Sequence, residues 1–120
     1  MTMPNERMRA LRWGHELLAE MPLDPSLPQA CRAESQRLGR KHPSPQELEQ
    51  WVQAGQHGLP MHWAVAIART YEFFTETQRR AEGSAQTQSA LLHTLRHYPD
   101  MSTARAMTSD RAFTAWLELE

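Results

Sequence analysis

Two histidines four positions apart, His93 and His97, have the spacing in this sequence that is most typical of metal chemistry. Residues at positions i and i+4 lie on one side of an α-helix, so two imidazoles at this spacing can bind one metal ion. Both histidines fall opposite the leucines that the same helix would bury. Those leucines are Leu91, Leu92 and Leu95. A third ligand would have to come from His57, His62 or a glutamate, and no spacing identifies it, so we expect solvent-exposed histidines and no metal site.

Glutamates recur at the same spacing in two places, as Glu16 with Glu20 and as Glu72 with Glu76. Four carboxylates on neighbouring helices can hold a two-metal centre when they point into a bundle. These four project away from the apolar stripes of their helices, and the Glu-x-x-His spacing of such centres is missing. The pattern therefore predicts two solvated helix faces.

Arrangements typical of nucleophilic catalysis are missing from the sequence. No serine, cysteine or histidine has a recognisable nucleophile context, and no Gly-rich loop could cradle a phosphate. The single cysteine, Cys31, excludes an internal disulfide and lies in a predicted apolar stripe, where we expect a small core residue rather than a reactive thiol. We therefore expect a protein that is not an enzyme and needs no cofactor.

Basic and aromatic side chains supply the remaining candidate surface. Six basic residues lie near the ends of two predicted helices, namely Arg7, Arg9, Arg12, Arg37, Arg40 and Lys41. A helix-turn-helix protein could place such residues on DNA phosphates, but the net charge of −1 favours a mixed-charge surface. Among the four tryptophans, Trp13 and Trp116 would anchor a protein partner if they were exposed. The predicted partner-binding residues are Arg7, Arg9, Arg12, Trp13, Arg40, Lys41 and Trp116.

A degraded internal repeat contains the elements that position these residues. Residues 10–21 (ALRWGHELLAEM) align without a gap on residues 66–77 (AIARTYEFFTET), at an offset of 56. In both stretches the apolar residues occupy one arc, about 120° wide, of a helical wheel. We interpret the chain as a tandem duplication, with repeat 1 at about 1–56 and repeat 2 at about 57–120.

Capping signals divide the first copy into three helices. Asn5 can cap a helix that ends near Met21, and Ser26 with Gln29 forms a possible capping box for a helix that ends near Lys41. The second helix has a weak apolar stripe, made of Leu27, Ala30, Cys31 and Leu38.

The strongest local signal comes after this second helix. His42 and Pro43 end the helix, because the residue before a proline avoids the α region. Ser44, Pro45 and Glu47 then have the identities of an N-cap, a first helical residue and the third residue of a capping box. The pattern predicts a third helix.

The second copy contains corresponding signals. Its first helix is predicted from near Pro60 to about Glu82, Ser84 caps the next, and Asp100 takes the place of the earlier N-cap serine. The apolar residues of its later helices are Leu91, Leu92, Leu95, Met101, Ala104, Met107, Phe113, Trp116 and Leu117. No stretch shows sustained β alternation, so the predicted fold is all-α, a compact bundle of six to seven helices built from two three-helix repeats.

Length and charge limit the class of protein. The 120 residues suffice for a single domain with one compact core. Neither half is a basic arm or an acidic tail, which favours neither a nucleic-acid nor a membrane partner. No apolar run approaches the roughly 18 residues of a membrane span, and the N-terminus lacks a signal-peptide pattern. We therefore expect a cytoplasmic protein.

The first copy resembles a small bacterial family of short proteins that begin M-T-M-P-x-E-R-x-R-A and later contain L-L-R-H-Y-P. The matching residues here are Met3, Pro4, Glu6, Arg7, Arg9, Ala10, Leu38, Arg40 and Pro43. Residues 95–99 (LRHYP) keep the second motif in the second copy, whereas residues 39–42 (GRKH) depart from it in the first. The resemblance implies no catalytic residue.

These observations favour a helical module that binds another protein, as an accessory or inhibitory factor of the kind encoded near mobile or defence genes. The alternative is a nucleic-acid-associated regulator that uses the arginine-rich helix ends. A metal-dependent enzyme is the third hypothesis, and it depends on the exposed histidines finding further ligands.

Overall fold

The computed structural model describes residues 5–56, 58–109 and 112–118. These residues form seven α-helices and no β-strand, which confirms the predicted all-α fold. The helices are α1 (Asn5–Glu20), α2 (Gln29–Lys41), α3 (Pro45–Gln53), α4 (Met61–Arg79), α5 (Ala85–Leu95), α6 (Met101–Ala106) and α7 (Ala112–Glu118). A 3-10 turn (Met21–Leu23) follows α1. The predicted cap at Asn5 and the possible ligand His57 fall on side chains outside those described.

Three of the four predicted caps that the structure describes are confirmed. The Ser44 hydroxyl accepts a hydrogen bond from the Glu47 amide at 3.1 Å, and the Glu47 carboxylate accepts one from the Ser44 amide at 2.9 Å. Ser84 and Asp100 each accept a hydrogen bond from the backbone amide three positions later. These side chains satisfy amides that have no partner inside their helices.

The predicted capping box at Ser26 is wrong. Helix α2 begins at Gln29 after Pro28, whose extended backbone precedes the helix, and no side chain caps it. Ser26 instead lies in a turn, where its backbone amide donates to the Asp24 carboxylate at 2.9 Å. Pro28 moved the start of the helix because its ring favours an extended backbone at the residue before it.

The first three helices and the next three begin at equivalent positions. Helices α1 and α4 begin at residues 5 and 61, α2 and α5 at 29 and 85, and α3 and α6 at 45 and 101, an interval of 56 each time. Contacts between helices also come in matched pairs, because α1 packs on both α2 and α5 while α4 packs on both α5 and α2. The first helix of each copy therefore lies between the second helices of both.

Buried positions also correspond between α2 and α5, although the residues differ. Ser35 and Leu91 are 56 positions apart and both fully buried, and the Ser35 hydroxyl donates to the Leu18 carbonyl at 2.7 Å. The predicted α2 stripe is wrong at Ala30, which is exposed, and the predicted α5 stripe is wrong at Leu92, which is 62% exposed. The apolar pattern did not predict the burial of Ser35. A hydrogen bond to a backbone carbonyl makes that burial favourable, although the side chain is polar.

The core consists of two clusters of buried side chains, which meet where Phe74 of one contacts Tyr98 of the other. One cluster includes Leu11, Ile67 and Phe113, and the other includes Leu18 and Phe74. Leu95 packs against both clusters. Each cluster combines residues from the first three helices with residues from the later ones, so neither half of the chain encloses a core of its own.

A buried polar pair joins the loop after α2 to the first cluster, which contains Tyr98. The Nε2 atom of His42 is 2.9 Å from the hydroxyl of Tyr98, and its Nδ1 atom is 2.9 Å from the Pro43 carbonyl. Because a carbonyl only accepts, Nδ1 carries the proton and Nε2 accepts from Tyr98. Burial lowers the pKa of His42 to about 4 and raises the pKa of Tyr98. Tyr98 needs Gly14 beside it, since a Cβ atom there would lie 2.6 Å from the ring.

Candidate functional site

Helices α1 and α5 pack side by side and enclose a groove, which we call the Trp13 groove. It comprises two adjacent depressions of about 320 and 190 Å³ that share Trp13 and His93. Its lining residues are Glu6, Arg9, Trp13, Glu16, Leu17, Glu20, Ala90, His93, Thr94, Arg96 and His97. Trp13 is 38% exposed, a large apolar area for a residue that is usually well buried.

The surroundings of Trp13 explain how an exposed indole is held in place. The Arg9 guanidinium lies one turn earlier on α1, 5.9 Å from the ring centroid, at the distance of a cation–π contact. Leu17 is buried one turn later on the same helix. A further depression of about 500 Å³ continues past Leu17 and Ala90 to Leu23, which is 80% exposed. Apolar side chains are therefore accessible at Trp13 and again at Leu23, with polar residues between and around them.

Charges of opposite sign line the two ends of the Trp13 groove. Arg9 and Arg96 lie near the end where α1 begins together with one carboxylate, Glu6, which is 3.7 Å from His97 Nε2. Glu16 and Glu20 lie towards the end where α1 finishes. A bound segment would therefore meet positive charge at one end and negative charge at the other.

A second groove separates α2 from α4 and has a volume of about 740 Å³. We call it the basic cleft. It is lined by Glu34, Arg37, Leu38, Arg40, Lys41, His42, Glu47, His62, Trp63, Val65, Ala66 and Arg69. Four of these side chains are cations and two are carboxylates, so the cleft has an excess of positive charge. The predicted residues Arg40 and Lys41 lie here, away from the Trp13 groove.

The two grooves occupy equivalent places in the two copies. Their linings correspond at the 56-residue interval through the pairs Glu6 and His62, Arg9 and Val65, Trp13 and Arg69, His93 and Arg37, Arg96 and Arg40, and His97 and Lys41. Only the pair of Arg40 and Arg96 keeps the same residue type. Similar pairs of helices therefore form two grooves whose side chains differ in charge and in apolarity.

Arg7 and Trp116 contact each other instead of forming a free surface. Trp116 is 7% exposed and packs on Phe113, so the exposure that its predicted role requires is not met. The Arg7 guanidinium donates to the Trp116 carbonyl at 2.7 Å and lies 5.5 Å from the centroid of its ring. Arg7 and Trp116, both predicted to bind a partner, therefore connect α1 to α7.

Arg12 occupies a third location. With Arg9 it lines a shallow depression of about 270 Å³ against Pro45 and Glu49 of α3. The basic residues of the two helix ends therefore line separate depressions, and the convergence considered for a DNA-binding face is not seen. The fold brings the predicted residues together in pairs: Arg9 with Trp13 in the Trp13 groove, Arg40 with Lys41 in the basic cleft, and Arg9 with Arg12 in this third depression.

The two histidines at i, i+4 are exposed, as expected. His93 donates from Nδ1 to the Ser89 carbonyl at 2.7 Å, which leaves Nε2 towards solvent. Within the described ranges no three histidine, cysteine or acidic side chains are grouped to hold a metal ion. The repeated glutamates also face solvent, and Glu76 pairs with Arg79 and Arg80, which lower its pKa.

Sequence reasoning missed the contribution of α4 to the basic cleft. His62, Trp63 and Arg69 belong to the second copy, whereas Arg40 and Lys41 belong to the first. These side chains come together because α2 packs against α4, and no local sequence pattern predicts that packing. The 56-residue interval could have identified Arg69 as a groove residue, because it relates Arg69 to Trp13, which is exposed.

No stretch from residue 5 to 56, 58 to 109 or 112 to 118 forms a helix with both the length and the apolarity that a bilayer crossing demands. Comparison with known proteins found no matching family model, no matching curated protein and no matching solved structure.

Proposed function

We propose that this protein is a non-enzymatic interaction module that binds a helical segment of another protein in the Trp13 groove. The observation that carries the proposal is Trp13, a tryptophan held half out of the surface between two helices. Tryptophan is among the residues that contribute most to protein interfaces, because one side chain buries a large apolar area with little loss of conformational freedom.

The shape and charge of the groove define the partner segment. Two helices flank an apolar floor that includes Leu17 and Ala90, a geometry that accepts the apolar face of an amphipathic helix. The segment should carry acidic residues where it meets Arg9 and Arg96, and basic residues where it meets Glu16. Such a helix would be acidic at one end and basic at the other.

A module of this kind acts by covering a helix of its partner. An accessory or inhibitory factor can act in this way. We place it in the cytoplasm, where the thiol of its single cysteine, Cys31, would remain reduced. We also propose that the protein is bacterial and that its chain arose by tandem duplication. A nucleic-acid-associated regulator remains the second candidate, favoured by the unpaired cations of the basic cleft.

The test is affinity capture with matched variants, followed by mapping of the contact. Trp13→Ala removes the anchor, whereas Met61→Ala removes an apolar side chain that is 65% exposed outside the Trp13 groove. We expect one protein to be retained by the wild type and by Met61→Ala, and lost with Trp13→Ala. A photo-crosslinker at position 93 should then label a helical segment of that protein with the stated charge pattern.

Retention of the same protein by Trp13→Ala would contradict the proposal, as would labelling of a segment without an apolar stripe. Circular dichroism melting of both variants provides the control for folding. Because Trp13 is only 38% exposed, we expect its removal to lower the free energy of unfolding by about 1 to 3 kcal/mol.

A further inference from the structure

The basic cleft contains three cations that no carboxylate pairs with among the residues that the structure describes. Arg40, Lys41 and Arg69 are exposed, and none makes an ion pair or a side-chain hydrogen bond within the part of the chain that the structure describes. Surface cations with nearby carboxylates usually pair with them, at least transiently. The arrangement therefore leaves positive charge available to a ligand.

The two carboxylates in the cleft are already engaged elsewhere. Glu34 forms an ion pair with Arg37 on the same helix. Glu47 accepts the hydrogen bond from the Ser44 amide that completes the cap of α3. Neither is positioned by these contacts to neutralise Arg40 or Arg69, so the charge excess of the cleft is local although the whole chain is close to neutral.

One wall of the same cleft is aromatic. His62 and Trp63 lie in the first turn of α4, with ring centroids 5.8 Å apart. Trp51 also contacts Trp63, edge to face with ring centroids 5.4 Å apart, and donates from its indole nitrogen to the Gly58 carbonyl at 2.7 Å. These contacts hold Trp63 in position. Val65 and Leu38 add apolar surface.

From the charges, the aromatic wall and the volume, we propose that the basic cleft binds a nucleotide-sized molecule that joins a phosphate to a planar apolar group. Arg40, Lys41 and Arg69 would hold the phosphate through charge-assisted hydrogen bonds, and His62 with Trp63 would contact the planar group. The volume of about 740 Å³ lies within the range of small-molecule sites in proteins. This site is separate from the Trp13 groove, so the proposal does not depend on the proposed function.

A polynucleotide fits the cleft less well than a single nucleotide. Duplex binding requires cations spread along a track that follows successive phosphates. Here the unpaired cations gather around one depression, and the acidic residues Glu34 and Glu47 border it. The cluster suits one compact anion.

Titration calorimetry with ADP as the probe tests the proposal, with inorganic phosphate and adenosine as the two half-ligands. We expect ADP to bind, and each half-ligand to bind at least about tenfold more weakly, because each keeps only part of the contacts. Arg40→Gln and Arg69→Gln should each weaken ADP binding about tenfold. Arg96→Gln is the matched control, since Arg96 holds the position of Arg40 in the Trp13 groove and should leave ADP affinity unchanged.

The aromatic wall is tested by His62→Ala, whose exposed side chain can be removed without opening the core. It should weaken ADP binding and leave phosphate binding unchanged. Absence of ADP binding at millimolar concentration would overturn the proposal, and so would equal affinity for ADP and phosphate, or equal loss of affinity in Arg40→Gln and Arg96→Gln. Duplex DNA that competes with ADP in the micromolar range would assign the cleft to nucleic acid instead.

Discussion

His42 and Tyr98 hold equivalent positions in the two copies, 56 residues apart, and they hydrogen-bond to each other at 2.9 Å. The contact joins the loop that follows α2 to the loop that follows α5. The interval of 56 residues between them equals the interval between the starts of α2 and α5 and of α3 and α6, which supports the proposed duplication.

Acid should destabilise the fold through His42. Its folded-state pKa of about 4 lies below the ordinary value of 6.5, so protonation favours the unfolded chain. The contribution of this group to stability is complete above about pH 6.5, falls as pH is lowered, and levels off below about pH 4. The total loss is at most roughly 3 kcal/mol. Urea unfolding at pH 7, 5 and 4 measures it.

Other groups also titrate in this range, so matched variants are needed to isolate the effect. His42→Gln keeps a side chain that can hydrogen-bond but does not titrate, and its free energy of unfolding should fall less between pH 7 and 4 than that of the wild type. His62→Ala removes an exposed histidine that makes no ion pair within the part of the chain that the structure describes, and it should keep the full wild-type dependence. Equal pH dependence in all three proteins would show that His42 is not the responsible group.

Two glycines inside helices should respond oppositely to alanine. Gly14→Ala places a Cβ atom 2.6 Å from Tyr98 Cε1, a clash that either moves the ring or shifts α1, and we expect a loss of about 1 to 3 kcal/mol. Gly39→Ala meets its nearest atom, Leu18 Cβ, at an ordinary 3.6 Å, and should gain up to about 1 kcal/mol from helix propensity. Thermal melting of both variants compares them, and a loss at Gly39 equal to that at Gly14 would refute the steric explanation.

The observed caps predict which serine and aspartate side chains support helix starts. Ser44→Ala and Asp100→Ala should each cost about 1 kcal/mol, because each leaves one helix amide without its acceptor. Ser26→Ala is the control, since Ser26 contributes its backbone amide to the turn and its side chain caps no helix. A fall in melting temperature with Ser26→Ala as large as that with Ser44→Ala would contradict the assignment.

These comparisons show which parts of the structure could be predicted from local sequence. The caps at Ser44 and Asp100 were predictable because a cap is made within one turn of the chain. His42 was predicted only as the end of α2, since its burial depends on a partner 56 residues away. Leu92 was wrongly predicted to be buried. A helical wheel gives the apolar arc of a short helix, but it does not give the part of that arc that a neighbouring helix covers.

The candidate sites divide in the same way. The partial exposure of Trp13 agrees with its position at the edge of an apolar stripe on the helical wheel. The burial of Trp116 could not be predicted in this way, because it depends on the packing of α7 against the rest of the fold. The basic cleft combines side chains from both copies, and its existence follows only from the packing of α2 on α4.

The last prediction separates the proposed protein partner from the alternative nucleic-acid partner through salt. If about four of the predicted basic residues neutralised phosphates, binding to duplex DNA would fall with salt at a log-log slope near −3.6. We expect no such binding, because Arg7 is engaged with Trp116 and Arg40 lies in a different depression from Arg9 and Arg12. Gel-shift titration with DNA and RNA at about 50 mM salt is the measurement. Retardation at micromolar protein that disappears by about 200 mM salt, and that Arg9→Gln with Arg12→Gln abolishes, would favour the regulator over the protein-binding module.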